Sequence, residues 1–140
     1  MIKQGLILSI LAALAWGFAP ALAKTGLYKV DPLMGVALRT IAVAVVLIFA
    51  MAFSGKAADI AKLDMKSVAF IISEGLLAGL LGQWLYYKAL KSWEASKVVP
   101  IAGSYPMIAA IVAILILGER ITIEKGLGVA LVVLGIFFLR

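Results

Sequence analysis

Two stretches of this chain, Gly5 to Ala23 and Val98 to Gly118, carry no charged side chain at all. A bilayer's hydrocarbon core is about 30 Å thick and is crossed by about 20 helical residues rising 1.5 Å each, so each stretch has the length and character of a membrane span. Two more, Pro32 to Ser54 and Ser67 to Tyr87, are as long, and each is interrupted by one ionisable residue, Arg39 in the first and Glu74 in the second. A fifth, Gly126 to Leu139, gives only about 21 Å of helix. It crosses if the helix starts at Thr122, with Glu124 and Lys125 at one interface and Arg140 snorkelling at the other. The pattern predicts an all-α integral membrane protein with helices over 5–23, 32–54, 67–87, 98–118 and 122–139, forming a single transmembrane domain over 1–140. Four spans with a buried or interfacial tail is the alternative.

Composition points the same way: 65% of the residues are hydrophobic and 14% charged, against about 25% charged in ordinary soluble domains. With no His and no Cys, the chain has no Ser-His-Asp or Cys-His nucleophile pair, no usual zinc site and no disulfide. It reads as a non-enzyme without cofactor or metal. The net charge of +6 would suggest nucleic acid in a soluble protein. Here the cations sit between apolar segments, where they mark membrane flanks, so the expected partner is the lipid bilayer and not nucleic acid. The longest connection, Gly55 to Lys66, is too short for a soluble domain.

Local signals fit these boundaries. Asp31-Pro32 reads as an N-cap followed by proline at the first helical position, and Thr122 with Glu124 suits the start of the last helix. Trp84, Tyr86, Tyr87 and Trp93 gather where the third span ends, as aromatic residues do at membrane interfaces. Lys3, the apolar run and Ala21-Leu22-Ala23 resemble a secretory signal, but the run is longer than the usual h-region and contains Trp16 and Pro20, so cleavage is not expected.

Five spans put the termini on opposite sides. Lys3, Lys56, Lys62, Lys66, Arg120 and Lys125 then flank one face, and Lys24, Lys29, Lys88, Lys91, Lys97 and Arg140 the other. This even division gives the positive-inside rule nothing to act on, so insertion in both orientations is the inference, against a residual bias from the first helix. Two inverted copies can pair about an axis in the membrane plane, making an antiparallel ten-helix homodimer.

Several residues together bring a family into view: Leu14-Ala15-Trp16-Gly17-Phe18-Ala19-Pro20, Arg39, Tyr86-Tyr87-Lys88-Ala89-Leu90, Val99-Pro100, Tyr105-Pro106, Leu117-Gly118-Glu119-Arg120 and Gly126-Leu127-Gly128 through Gly135. Over nearly its whole length the chain resembles one EamA repeat of the drug/metabolite transporter superfamily. The resemblance implies export of amino acids, other metabolites or drugs. Many members have two such repeats fused in opposite orientation, so a single repeat implies dimerisation; the resemblance also supports the fifth span. The superfamily's small multidrug members place a proton-coupling glutamate in the first helix. This chain has no acid there, and that mechanism does not carry over.

Glu74 is the leading candidate for function, since an ionisable group inside a membrane helix is costly unless paired, protonated or hydrated. It lies about 10 Å into its span. At 100° per residue it shares a face with Phe70, Ile71, Leu77, Ala78 and Leu81, opposite Gly75, Gly79, Gln83 and Tyr86. It could carry a proton or hold a cationic substrate, or simply hydrogen-bond to a neighbouring helix. Arg39 enters from the opposite side to a similar depth, so in an antiparallel pair it lies at about the depth of Glu74 of the other copy and could pair with it; snorkelling to the nearer interface is the plainer alternative. Trp16, Trp84, Tyr87 and Tyr105 could line a cavity for aromatic or cationic small molecules, with interfacial anchoring the other role open to Trp84 and Tyr87. Pro20, Pro100 and Pro106 each remove a helical hydrogen bond, as breaks along a substrate path do, or as packed kinks. Gly75-x-x-x-Gly79 suits close helix packing.

The reading that follows is a secondary transporter acting as a homodimer by alternating access, an exporter of a small metabolite, amino acid or drug in a prokaryotic cytoplasmic membrane. The opposing reading is a non-transporting membrane subunit that assembles with a larger or oppositely oriented partner.

Overall fold

The structure is a computed structural model that describes residues 2–118 and 122–138; Glu119, Arg120, Leu139 and Arg140, which the sequence pattern drew on, lie outside them. Among the described residues every regular element is helical. The first helix is Ile2–Gly26 and the second Pro32–Ser54. A 3₁₀ segment, Lys56–Lys62, leads into the third helix, Met65–Ser92. The fourth has two halves, Ala95–Ala102 and Tyr105–Leu117, and the fifth is Ile123–Phe138. Among the described residues, four helices are long and apolar enough to cross a membrane: Gln4–Gly26, Pro32–Ser54, Met65–Ser92 and Ala95–Ile116. The fifth contains a shorter apolar stretch, Gly126–Gly135. The third runs past Tyr87 to Ser92, beyond the apolar core, with Lys91 in its last turn, where a cation suits the negative end of the helix dipole.

The chain divides into two compact units, Met1–Ser92 and Trp93–Arg140. In the first unit, the second helix begins where Asp31 accepts hydrogen bonds from the backbone N–H groups of Leu33 (2.9 Å) and Met34 (3.4 Å), with Pro32 at a position whose N–H would have no partner. It ends at Gly55, whose φ of 69° is left-handed and strained for any side chain. Asp64 opens the third helix by accepting the Ser67 backbone N–H at 2.9 Å.

Hydrogen bonding from Ser67 holds the Asp64 carboxyl below its ordinary 3.8. Because the folded value is depressed, the cap is at full strength above the ordinary value and is lost as pH falls through the lower folded one. Protection of the amides of residues 65–68 against hydrogen exchange, taken relative to the intrinsic rate at each pH in the full chain in lipid, is therefore expected to fall as pH drops through that depressed value. In Asp64→Ala the protection is expected to be low already at neutral pH and to show no such step.

The third helix is not one regular helix. Met65–Glu74 is α-helical, Gly75–Gly82 is π-helical, and Gln83–Ser92 is α-helical again. The π sequence, Gly-Leu-Leu-Ala-Gly-Leu-Leu-Gly, has three residues without a Cβ to crowd the widened turns. This corrects the face expected for Glu74: a π turn holds more residues than an α turn, so the 100° step fails beyond Glu74, and Leu77, Ala78 and Leu81 no longer fall where a regular helix would put them.

Packing in the first unit is concentrated at one end, where the first helix finishes, the second starts and the third finishes. Leu27, Val36, Tyr87 and Leu90 are buried there, as are Pro20 and Pro32. Gly35 lets the helices approach: a Cβ on it would lie 2.9 Å from Leu27 Cδ2 and 3.3 Å from Tyr87 Cδ2. Two lysines tie the same end. The Lys24 ammonium donates to the Leu90 carbonyl, in the last turn of the third helix where carbonyls lack intrahelical donors. Lys91 Nζ donates to the Val30 carbonyl at 2.7 Å. The first two helices meet the third chiefly through Gln83–Ser92, and no residue of Met65–Glu74 or Gly75–Gly82 is buried.

In the second unit the fourth helix breaks at Gly103-Ser104. The Gly103 N–H donates to the Val99 carbonyl at 2.7 Å, Ser104 Oγ to the Ile101 carbonyl at 2.6 Å, and the Met107 N–H to the Ser104 carbonyl at 2.9 Å. Gly118, with φ 66°, ends the second half. The Thr122 carbonyl accepts the Gly126 N–H at 3.0 Å as the fifth helix begins, and this helix packs on the second half of the fourth.

Candidate functional site

Glu74 is the last residue before the π stretch, nine positions and about 13 Å from the start of its helix. Its side chain is exposed within the chain and has no hydrogen-bond or ion-pair partner among the described residues. Arg39, seven positions and about 10 Å into the second helix, is in the same condition. The structure does not join these two charges within one copy. Each is set inside an apolar span where an unpaired charge is costly, so each lacks something that a ligand, water or another chain must supply.

The aromatic candidates separate. Tyr87 is buried against Gly35 and Leu27 and holds the packed end of the first unit. Trp84 is half-buried, with Lys88 Nζ 4.6 Å from its ring centroid, an amphipathic pair suited to the membrane interface. Trp16 is 68% exposed on the first helix, one turn before buried Pro20, and the helix runs through that proline unbroken. In the second unit Tyr105 is exposed at the start of the fourth helix's second half. Pro100 lies inside the first half, and Pro106 stands in the opening turn of the second, where its missing N–H costs nothing. The break itself falls between them.

Sequence reasoning missed the Lys24 and Lys91 clamps, which join residues 66 and 61 positions apart and leave no local trace. It also missed the close approach at Gly35, and the three glycines of Gly75–Gly82 were the available signal for the π stretch. The pair expected at Gly75 and Gly79 meets no neighbour: a Cβ on either would find nothing within 4 Å.

Long apolar helices, two of them carrying a single ionisable residue well inside the span, mark a polytopic membrane protein. The chain belongs to the EamA-like transporter family, whose pattern matches residues 3–140. It is 26% identical over 132 residues to a protein of a Sinorhizobium species named as an uncharacterised transporter in the cobO 3′ region, covering 94% of this chain and 92% of that one. It is 33% identical over 115 residues to an uncharacterised protein of Pseudomonas aeruginosa, covering 82% of this chain but 38% of that longer one. No solved structure matches the chain.

Proposed function

We propose that the chain is a secondary transporter, exporting a small metabolite, amino acid or drug by alternating access, and that two copies inserted in opposite orientations form one ten-helix unit in a bacterial cytoplasmic membrane. In this reading the chain is a single transmembrane domain. Its fifth helix, roughly 24 Å over Ile123–Phe138, spans with local thinning of the bilayer. The observation that carries the proposal is Glu74: an unpartnered carboxyl well inside a span, facing out of its own copy, is placed to take up a proton or a cationic group where two copies enclose a cavity. Arg39 would serve an anionic group or the other copy, and Trp16 and Tyr105, both exposed, would supply aromatic walls. The balanced flanking cations support dual insertion, and the match to nearly the whole length of a transporter-named relative supports a working unit made from single-repeat chains.

The test is flux. Purified chain in liposomes is expected to move members of a tracer panel of amino acids and cationic dyes without any other protein, and Glu74→Gln to reduce that flux to background while leaving the folded protein intact. No flux from well-folded protein over the whole panel would favour a subunit that needs a different partner.

A further inference from the structure

The third helix is fixed at one end and loose at the other. Its Gln83–Ser92 part is held by buried Tyr87 and Leu90, by the Lys24 donation to the Leu90 carbonyl and by the Lys91 donation to the Val30 carbonyl. Its Met65–Glu74 and Gly75–Gly82 parts bury nothing. Between the α parts, hydrogen bonding changes register. The Gly75 N–H is shared by the Ile71 and Ile72 carbonyls, and the Gln83 N–H by those of Ala78 and Leu80, passing over Gly79. Bonded to the fifth residue rather than the fourth, this stretch lags an α helix by about one residue, or roughly 100° of rotation. Gly75 and Gly79 stand in open space, so no neighbouring helix among the described residues packs on these glycines to hold the surplus residue in place.

We propose that Gly75–Gly82 is a register-shift element. It exchanges between the π form and a regular α form by passing one residue toward the N-terminal side. Because Gln83–Ser92 is clamped, the change is expressed in Met65–Glu74, which turns about its axis by roughly 100° and carries the Glu74 carboxyl from one side of the helix to the next. The connection before it absorbs the accompanying slide of about 1.5 Å: Gly55 and the 3₁₀ segment Lys56–Lys62 bury nothing. Asp64 travels with the helix as its cap, since its partner Ser67 belongs to the same rigid piece. The use of this motion, presenting one carboxyl to two environments in turn, rests on the transport reading above.

The native chain has no cysteine, so nitroxide pairs can be placed at will in the full chain, reconstituted in lipid and diluted with unlabelled copies so that distances are read within one copy. Labels at Val46→Cys and Ser73→Cys are expected to give two distances. Deleting Leu80 removes the surplus residue while keeping Glu74 and Tyr87 on their faces, and should leave one distance. Labels at Met34→Cys and Lys88→Cys, on the clamped end, should give a single distance in both proteins. If the deletion does not fold, Gly82→Ala serves instead: its Cβ would sit 3.3 Å from the Leu77 carbonyl of the π form and should shift the population toward one of the two distances. A single 46–73 distance in the undeleted chain overturns the proposal, as do two distances unchanged by both variants. Two distances without tracer flux would uphold the register shift and remove the transport reading. One distance with full flux would do the reverse.

Discussion

Leu90→Ala is expected to lower the stability of the folded chain by about 2–5 kcal/mol, the cost of removing a fully packed leucine and leaving its cavity. Leu90 is 0% exposed. It sits in the third helix's last turn, where its own carbonyl is held by Lys24, so the surrounding backbone has little freedom to collapse into the space. Gly35→Leu acts on the same cluster from the other side. A single Cβ there already reaches 2.9 Å from Leu27 and 3.3 Å from Tyr87; the flexible Leu27 tip can yield to an alanine, but the rest of a leucine side chain has nowhere to go, and the second and third helices must separate. Val46→Ala, at a site 66% exposed within the chain, should change stability by no more than about 0.5 kcal/mol. Unfolding midpoints in a single detergent or lipid mixture decide the matter. Similar small losses at positions 90 and 46 would mean that the packed end does not organise the unit.

The spans were legible because lipid imposes a simple length rule, and the second helix, Pro32–Ser54 with its Asp31 cap, coincides with its apolar run. Arg39 and Glu74 were legible for the same reason, as charges out of place. The break in the fourth helix was harder to read. Proline marks the right neighbourhood, yet Pro106 fits an opening turn, and it is Gly103 and Ser104, bonded back to Val99 and Ile101, that turn the chain. The side of the third helix on which Glu74 lies could not follow from periodicity, because any fixed angle per residue assumes a uniform helix and Gly75–Gly82 is not α. Tyr87 shows the remaining difficulty. An interfacial tyrosine and a packed one look alike in sequence, and only the approach of Gly35, 52 positions earlier, distinguishes them.

In the proposed antiparallel dimer, Arg39 and Glu74 are expected to be energetically coupled between copies. In one copy they enter from opposite sides, about 10 and 13 Å from the starts of their helices. Inverting a second copy brings each to nearly the depth of its opposite in the other, and two-fold symmetry makes the contact twice. Both are exposed and without an ion-pair partner among the described residues, so neither has to leave an existing bond. Neutralising one partner strands the other charge in lipid, so Arg39→Gln and Glu74→Gln should each weaken the dimer, while the pair together should cost less than the sum by about 1–2 kcal/mol per contact, the upper range for polar contacts between membrane helices. The reversed pair, Arg39→Glu with Glu74→Arg, should recover part of the loss. Dimer fractions in lipid at graded protein-to-lipid ratios measure the cycle. Strict additivity, with a dimer still present, would mean that Arg39 snorkels to its nearer interface and does not meet Glu74 of the other copy.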